Sequence, residues 1–377
     1  MLNGNGGGRV DCLDGLRGLA ALWVLVGHAH LLTGFTIPVI GDPDLGVDLF
    51  IMLSGFLMVF HYQRRRDREP WEASNTWITF WVRRYFRIAP LYYVMLVAAL
   101  TLGPLIYDAR MVIDGFNGVR PQLAERYLDS SLANYLAHLT FLFGLSPHFA
   151  YRTALPDWSI GLEMQFYAAL PFIMILVGRI GWIKGIAGAA LTGLVIAYGL
   201  TRIGVSFPMP TFLPLKMHIF AAGMLLAGAL RANKMRAYQF AAVSAVLALA
   251  PIGGDRDLMH EIVRVLLVLI FFAFIHTHRL PEPLAKRLSP ISAWLGNGFF
   301  HNLGELSFGA YLIHLMVMQP VIAYLIQTTD VSNPVRWVLT LAITVPIVYA
   351  LAWVGYNLIE MPGQNIGKGL TKPRASA

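Results

Sequence analysis

Long apolar runs recur along the chain, separated by short clusters of Arg, Lys, Gly and Pro. A bilayer core about 30 Å thick takes ~20 mostly apolar residues per helix. Runs of that order fall at 13–33, 45–62, 86–106, 159–178, 181–203, 212–230, 237–252, 261–278, 302–326 and 335–358. The pattern predicts an all-α polytopic membrane protein with about ten transmembrane helices. The stretch 132–145 is apolar but too short to span, and reads as interfacial or re-entrant. The longest polar connection, 107–158, carries charges of both signs and Gly-Pro punctuation, which predicts an ordered cap rather than a linker. No internal repeat emerges. The pattern gives one transmembrane domain over 1–362 and a disordered basic tail over 363–377.

Composition strengthens the membrane assignment. Of 377 residues, 56% are apolar and 13% charged, against roughly 45–50% and about 25% in soluble domains. So little charge cannot coat a soluble globule. The net charge of +8 therefore reflects topology and does not point to a nucleic-acid partner. With the N-terminus cytoplasmic, the cytoplasmic ends and loops hold twenty Lys and Arg, from Arg9 to Arg374, and the outer side holds nine, including Arg256. One missed helix would scramble every later loop, so this bias supports an even number of spans with both termini inside. Cys12 is the sole cysteine, which excludes an intrachain disulfide and any multi-thiolate metal site, and no metal is expected. Residues 1–12 are Gly-rich and polar and do not read as a cleavable signal.

Ionisable residues at membrane depth cost several kcal/mol and default to function. In the first span Arg17 and His28 are eleven residues apart, about 20° from whole turns, so they share a face with ~16 Å between them. His30 faces elsewhere. A bond from His28 to a neighbouring helix would also account for it. The second span carries Asp48 near its outer end and Ser54 about two turns deeper; Ser54-Gly55 also suits close helix packing. In the fourth, Ser159, Glu163 and Tyr167 are spaced i, i+4, i+8, and a Glu one turn inside an apolar helix is hard to explain by structure alone. His314 of the ninth span reaches a similar depth. Arg64, Arg65, Arg66 and Arg68 fit topology and anionic-lipid contact. Arg83, Arg84 and Arg87 open a span, where guanidiniums at a positive helix end suit phosphate.

Taken together, these stretches resemble the integral-membrane acyltransferase-3 family, whose members O-acylate glycans and other hydroxylated acceptors. Arg17 and His28 match its Arg-X10-His signature. GVDLFIMLSGFL, FWVRRYFRIAPLYY, DWSIGLEMQFYAALP, LSFGAYLIHL and NLIEMP are similar to its other motifs, in family order from residue 11 to 362. Ile51-Met52, Met164 and Phe308 depart from its commoner residues without removing a reacting group. Many members carry an added extracytoplasmic esterase-like domain; this chain reads as a stand-alone form.

The resemblance implies a membrane O-acyltransferase with no permanently bound cofactor. Acyl-CoA, most often acetyl-CoA, would enter from the cytoplasm as co-substrate. Its phosphates would meet Arg83, Arg84 and Arg87, with Arg17 at the rim and the thioester arm running inward along the first span. His28 would be general base or transient acyl carrier, and Glu163 would orient an imidazole or position the acceptor. Asp14, Asp48, Ser54, Trp158, Tyr167, Tyr311 and His314 are the substrate-binding candidates; Tyr167, Tyr311 and Ser54 are candidates for stabilising the oxyanion. The implied partners are a glycan, glycolipid or other hydroxylated acceptor and the membrane lipids, in a bacterial cytoplasmic (inner) membrane. Two other readings stay open: a macrolide or similar small acceptor, and a proton-coupled transporter, against which stands the lack of an inverted repeat.

Overall fold

The computed structural model describes residues 12–252 and 257–371. The leader of residues 1–11, Arg9, Arg256, Lys372 and Arg374 lie outside that range. The described residues are helical, without strands. Their order is α1 Cys12–Thr33, α2 Pro43–Arg65, α3 Ser74–Asn117, α4 Glu125–Leu128, α5 Leu132–Leu139, α6 Trp158–Ile180, α7 Trp182–Arg202, α8 Leu213–Gly228, α9 Lys234–Ala248, α10 Leu258–Ile275, α11 Glu282–Leu295, α12 Gly298–Thr328, α13 Asn333–Gly355 and α14 Met361–Leu370. Among them, nine helices are long and apolar enough to cross a membrane. The chain is an all-α polytopic membrane protein. The expected span 237–252 is α9, which has 15 residues and is only about 22 Å long by helical rise.

The elements that position the site are set by small residues and caps. Asp42 caps α2 by accepting from Asp44 N, and Pro43 occupies its first turn, where a missing N–H costs nothing. A side chain at Gly223 of α8 would run into Met52 O, and one at Gly55 of α2 into Phe220 O, so α2 and α8 meet backbone to backbone. The same holds for α1 and α12, where Gly304 faces Asp14 O and Gly18 faces Leu303. The core lies between these pairs, with α3, α6 and α13 around them.

Two expectations change. The third span is a helix of 44 residues, about 66 Å long, so it overshoots the bilayer at both ends. Arg83, Arg84 and Arg87 therefore lie more than two turns inside it, not at its positive end. The helix dipole, which acts only within the first turn, adds nothing there. The tail is also ordered further than expected. α13 continues through a π turn at Tyr356–Glu360 into α14, because Gly363 and Gly367 let α14 lie flat against Pro90 and Phe86.

The region 107–158 is an ordered cap, as expected. α3 extends to Asn117, and α5 and the turn Leu142–Leu145 take up the stretch 132–145 without spanning. Phe143 is fully buried against Gly161 of α6, and Thr211 Oγ1 donates to Gly144 O at 3.1 Å.

Candidate active site

A cavity of about 270 Å³ opens among α1, α2, α3, α6, α8 and α12. One stripe of α2 runs its length: Val47, Ile51, Ser54, Met58 and His61 all line it, at helical spacings of three and four that keep them on one face. Asp14, Arg17, His61, Arg84 and Arg87 lie at one end; Val47, Phe50, Ser159 and Tyr311 lie at the other. Glu163 sits between them. Its Oε1 accepts from Ser54 Oγ at 2.9 Å and from the Tyr167 hydroxyl one turn below, which leaves Oε2 without a protein donor among the described residues. Trp81 Nε1 donates to Tyr167 O at 3.0 Å, fixing α3 against α6 at this level.

The cations are the cavity's most distinctive feature. Neither Arg17 nor Arg87 has a hydrogen bond or an ion pair among the described residues, though both face the cavity. The Arg84 guanidinium lies 5.8 Å from the Tyr167 ring centroid and 5.9 Å from that of Phe80. Guanidiniums that line a cavity with no direct ion pair, although Asp14 and Glu163 share that cavity, keep N–H donors available for an anionic ligand. Arg84 and Arg87 also wall a second, outward cavity of about 390 Å³ with Arg65, Arg68, Arg83 and Lys368. Of these, Arg83 is spoken for: it donates to Glu69 Oε1 at 2.7 Å and to Thr371 Oγ1 at 3.0 Å. A cationic mouth thus leads past Arg84 and Arg87 into the inner cavity.

His28 lies outside that cavity. The expected run along α1 stops at Arg17, because Val24 and Ala20 pack on Gly46 and close the face between Arg17 and His28. The two meet the site differently. Tyr311 walls the cavity, accepts from Ser159 Oγ at 2.8 Å and donates to Pro156 O at 2.7 Å. Its backbone carbonyl accepts from His314 Nδ1 at 2.6 Å. His314 Nε2 in turn faces His28 Nδ1 at 3.3 Å, and that nitrogen also lies 2.9 Å from Val24 O. A carbonyl acceptor requires a proton on His28 Nδ1. That tautomer leaves the lone pair on Nε2, which has no protein partner among the described residues. The imidazole can therefore accept a proton at Nε2. His30 faces Gly41 and not this pair. No hydrogen bond or ion pair joins Glu163 to either imidazole, so Glu163 does not orient them.

Asp48 does not reach the cavity. It is fully buried and gathers Lys216 Nζ at 2.6 Å, His260 Nε2 at 3.2 Å and Arg264 Nε at 2.5 Å. His260 Nδ1 also meets Asp42 Oδ2 at 2.9 Å. This network ties α2 to α8 and α10; Asp48 and Gly55 are seven residues apart and share the α8 face. The Ser54-Gly55 pair thus divides, with Gly55 packing and Ser54 lining the cavity. Asp14 lines the cavity, and its Oδ2 meets His301 Nδ1 at 3.2 Å. Trp158 is buried away from the cavity. Beside it, burial pushes the Asp157 carboxyl up, against the pull of His138, Thr153 and Tyr92. The NLIEMP motif forms the π turn and buries Glu360 beside Gly309.

Comparison with known proteins gives this arrangement its context. A family model described as an acyltransferase domain (acyltransferase-3) matches residues 10–353. The chain belongs to the acyltransferase-3 family. It is similar to the acyltransferase MdmB of Streptomyces mycarofaciens, with 27% identity over 82% of this chain and 79% of that protein. It also resembles the peptidoglycan O-acetyltransferase OatA of Listeria monocytogenes, 26% identical over 51% of this chain and 28% of that one. The putative membrane-bound transacylase BcsY of Komagataeibacter xylinus is 34% identical over 44% of this chain and 37% of its own length. No solved structure matches. The protein is thus an integral-membrane O-acyltransferase, and Arg17, His28 and the cavity all fall within the segment that defines the acyltransferase-3 family.

Sequence reasoning misses His61, although it shares the Ser54 stripe seven residues on. It also misses Gln364 and Lys368, because a basic C-terminal run looks like a tail, and Lys216, His260 and Arg264, whose partner is more than 160 residues away.

Proposed function

We propose that the protein moves an acyl group, acetyl in the first instance, from acyl-CoA to a hydroxyl of a glycan or glycolipid acceptor in a bacterial cytoplasmic membrane. The observation that carries this reading is the unpaired Arg17 and Arg87 inside a cavity entered through a cationic mouth. Phosphates of CoA sit at the mouth and on Arg84 and Arg87, where bidentate contact is available. The pantetheine arm lies along the α2 stripe, and its amides donate to Glu163 Oε2. The thioester reaches Tyr311.

Transfer then needs Tyr311 to yield its place between Ser159 and Pro156, which opens the cavity toward His28. Nε2 of His28 takes the proton from the acceptor hydroxyl as its oxygen attacks the thioester carbonyl. The tetrahedral oxyanion collapses, the carbon–sulfur bond breaks, and the CoA thiolate takes the proton back from the imidazolium. Tyr167 is too deep toward the mouth for the oxyanion. Tyr311 and Ser159 are the hydroxyls at the right end of the cavity.

Support for a glycan acceptor comes from OatA, which acts as a peptidoglycan O-acetyltransferase by its name. The test uses sealed vesicles of known orientation, with labelled acetyl-CoA added on the face that carries the Arg cluster. Label is expected on an impermeant hydroxylated glycan confined to the opposite face. Label appearing only on acceptors that share the donor's compartment would overturn the reading.

A further inference from the structure

A separate cavity of about 710 Å³ lies at the other end of α1, walled by the ends of α1 and α3 and the start of α13. Its frame is tied by polar contacts. Asn117 Nδ2 donates to Leu32 O at 2.9 Å, and Asn333 Nδ2 to Gly34 O at 3.2 Å. Arg336 donates to Asn333 Oδ1 at 2.8 Å and lies 4.2 Å from the Phe116 ring centroid. Three chain ends are thereby held around an open volume.

The two halves of this groove differ in chemistry. Leu31, Phe116 and Val119 form an apolar wall that is half exposed, at 55%, 46% and 49%, beside the outer end of α1. Arg110 and Arg120 form the rim. Arg110 Nε donates to Asp114 Oδ1 at 2.7 Å, while Asp114 Oδ2 accepts from Gln122 N at 3.0 Å. Arg120 is exposed and makes no hydrogen bond or ion pair among the described residues. One carboxylate against two guanidiniums leaves the rim positive. A greasy wall beneath a cationic rim fits an amphiphile whose anionic group sits at the membrane surface.

The groove also has a fixed relation to the transfer site. Leu32 lies four residues after His28 and shares its face, about 6 Å further along the helix. The donor cavity approaches His28 from the opposite direction, past Tyr311. We propose that this groove binds the phosphate ester of a lipid-anchored acceptor. Arg110 and Arg120 hold the phosphate, the apolar wall takes the first part of the tail, and the hydroxylated headgroup is left over His28. The proposal deepens the function proposed above and rests on His28 as the transfer residue.

The experiment is native mass spectrometry of the full chain from phosphatidylcholine nanodiscs, with a polyprenyl phosphate as probe and phosphatidylglycerol as competitor. Polyprenyl phosphate should be retained. Retention should fall about tenfold in Arg120→Ala, the worth of one charge-assisted hydrogen bond, and recover in part in Arg120→Lys. Acetyl-CoA binding, measured on the same samples, should not change. Equal retention in Arg120→Ala, or displacement by equimolar phosphatidylglycerol, overturns the proposal; the second result would make the groove an ordinary headgroup site. Failure of the transfer reading looks different: polyprenyl phosphate is retained through Arg120, yet the wild-type protein transfers no label.

Discussion

A guanidinium without a direct ion pair inside a membrane protein is costly, and Arg17 and Arg87 both carry that cost into the cavity. Removing Arg87 should therefore weaken acetyl-CoA binding by the worth of a charge-assisted bond, about 1.5–3 kcal/mol or roughly 10- to 100-fold. Arg87→Lys should recover little, since an ammonium cannot give two parallel bonds to phosphate; titration of the purified variants with acetyl-CoA decides this. His28→Ala should bind acetyl-CoA normally while transfer falls by about 10²–10⁴-fold, the usual worth of a general base. Near-wild-type turnover in that variant would remove His28 from the chemistry. Asp48 gives the opposite pattern. Its carboxylate answers Lys216, His260 and Arg264 in a dry interface, so Asp48→Ala should cost about 3–5 kcal/mol of stability, read as a lowered melting temperature, with donor affinity preserved in the folded fraction. At this scale the sequence is legible where one helix's spacing brings side chains together, as with Glu163 and Tyr167 on α6. Arg17 and His28, expected along one wall, are parted by Val24 and Ala20, and the bond from Ser54 to Glu163 crosses helices and has no spacing signal. The sequence misleads at Asp48, because a buried charge signals importance without saying whether its partner is a substrate or a helix far along the chain.

Among the elements, α14 changes most in meaning. Gly363 and Gly367 let it lie on Pro90 and Phe86, and this brings Gln364 and Lys368 to the cationic mouth. A bulky residue at Gly367 should lift α14 from Phe86 and weaken acetyl-CoA binding more than Lys368→Ala does. Lys368 is exposed, and one such charge is worth only about 0.2–1 kcal/mol. If Gly367→Leu binds acetyl-CoA as tightly as wild type, α14 has no part in donor binding. Hydropathy predicts the central spans well because lipid leaves an apolar helix no alternative. It fails at helix ends: α3 continues for about three turns beyond the apolar run on each side. There apolar and charged residues alternate, and packing, not lipid, decides where the helix stops.

For the whole molecule, the charge bias of the sequence and the run of the cavity agree on direction, with the densest cations at one end and the imidazole pair at the other. Donor affinity should accordingly fall as salt rises, most steeply for the mouth, which is open to solvent, and less for the enclosed Arg17 and Arg87. The shared depth of His28 and His314 was legible from topology alone. The barrier between them and the donor cavity was not, because it depends on Val24 meeting Gly46 and on Tyr311 being held by Ser159 and Pro156.

The glycine contacts that join α2 to α8 and α1 to α12 set more than packing. They stand on two sides of the donor cavity, and at both the backbones already touch, so neither wall can retreat by changing a rotamer. The slot between them has a fixed gauge. A thin linear arm passes, while a branch at the carbon next to the thioester meets a wall that cannot breathe. Turnover should thus fall much more from propionyl-CoA to isobutyryl-CoA than from acetyl-CoA to propionyl-CoA. Enlarging Gly223, which would drive α8 off Met52, should blur that discrimination before it abolishes folding.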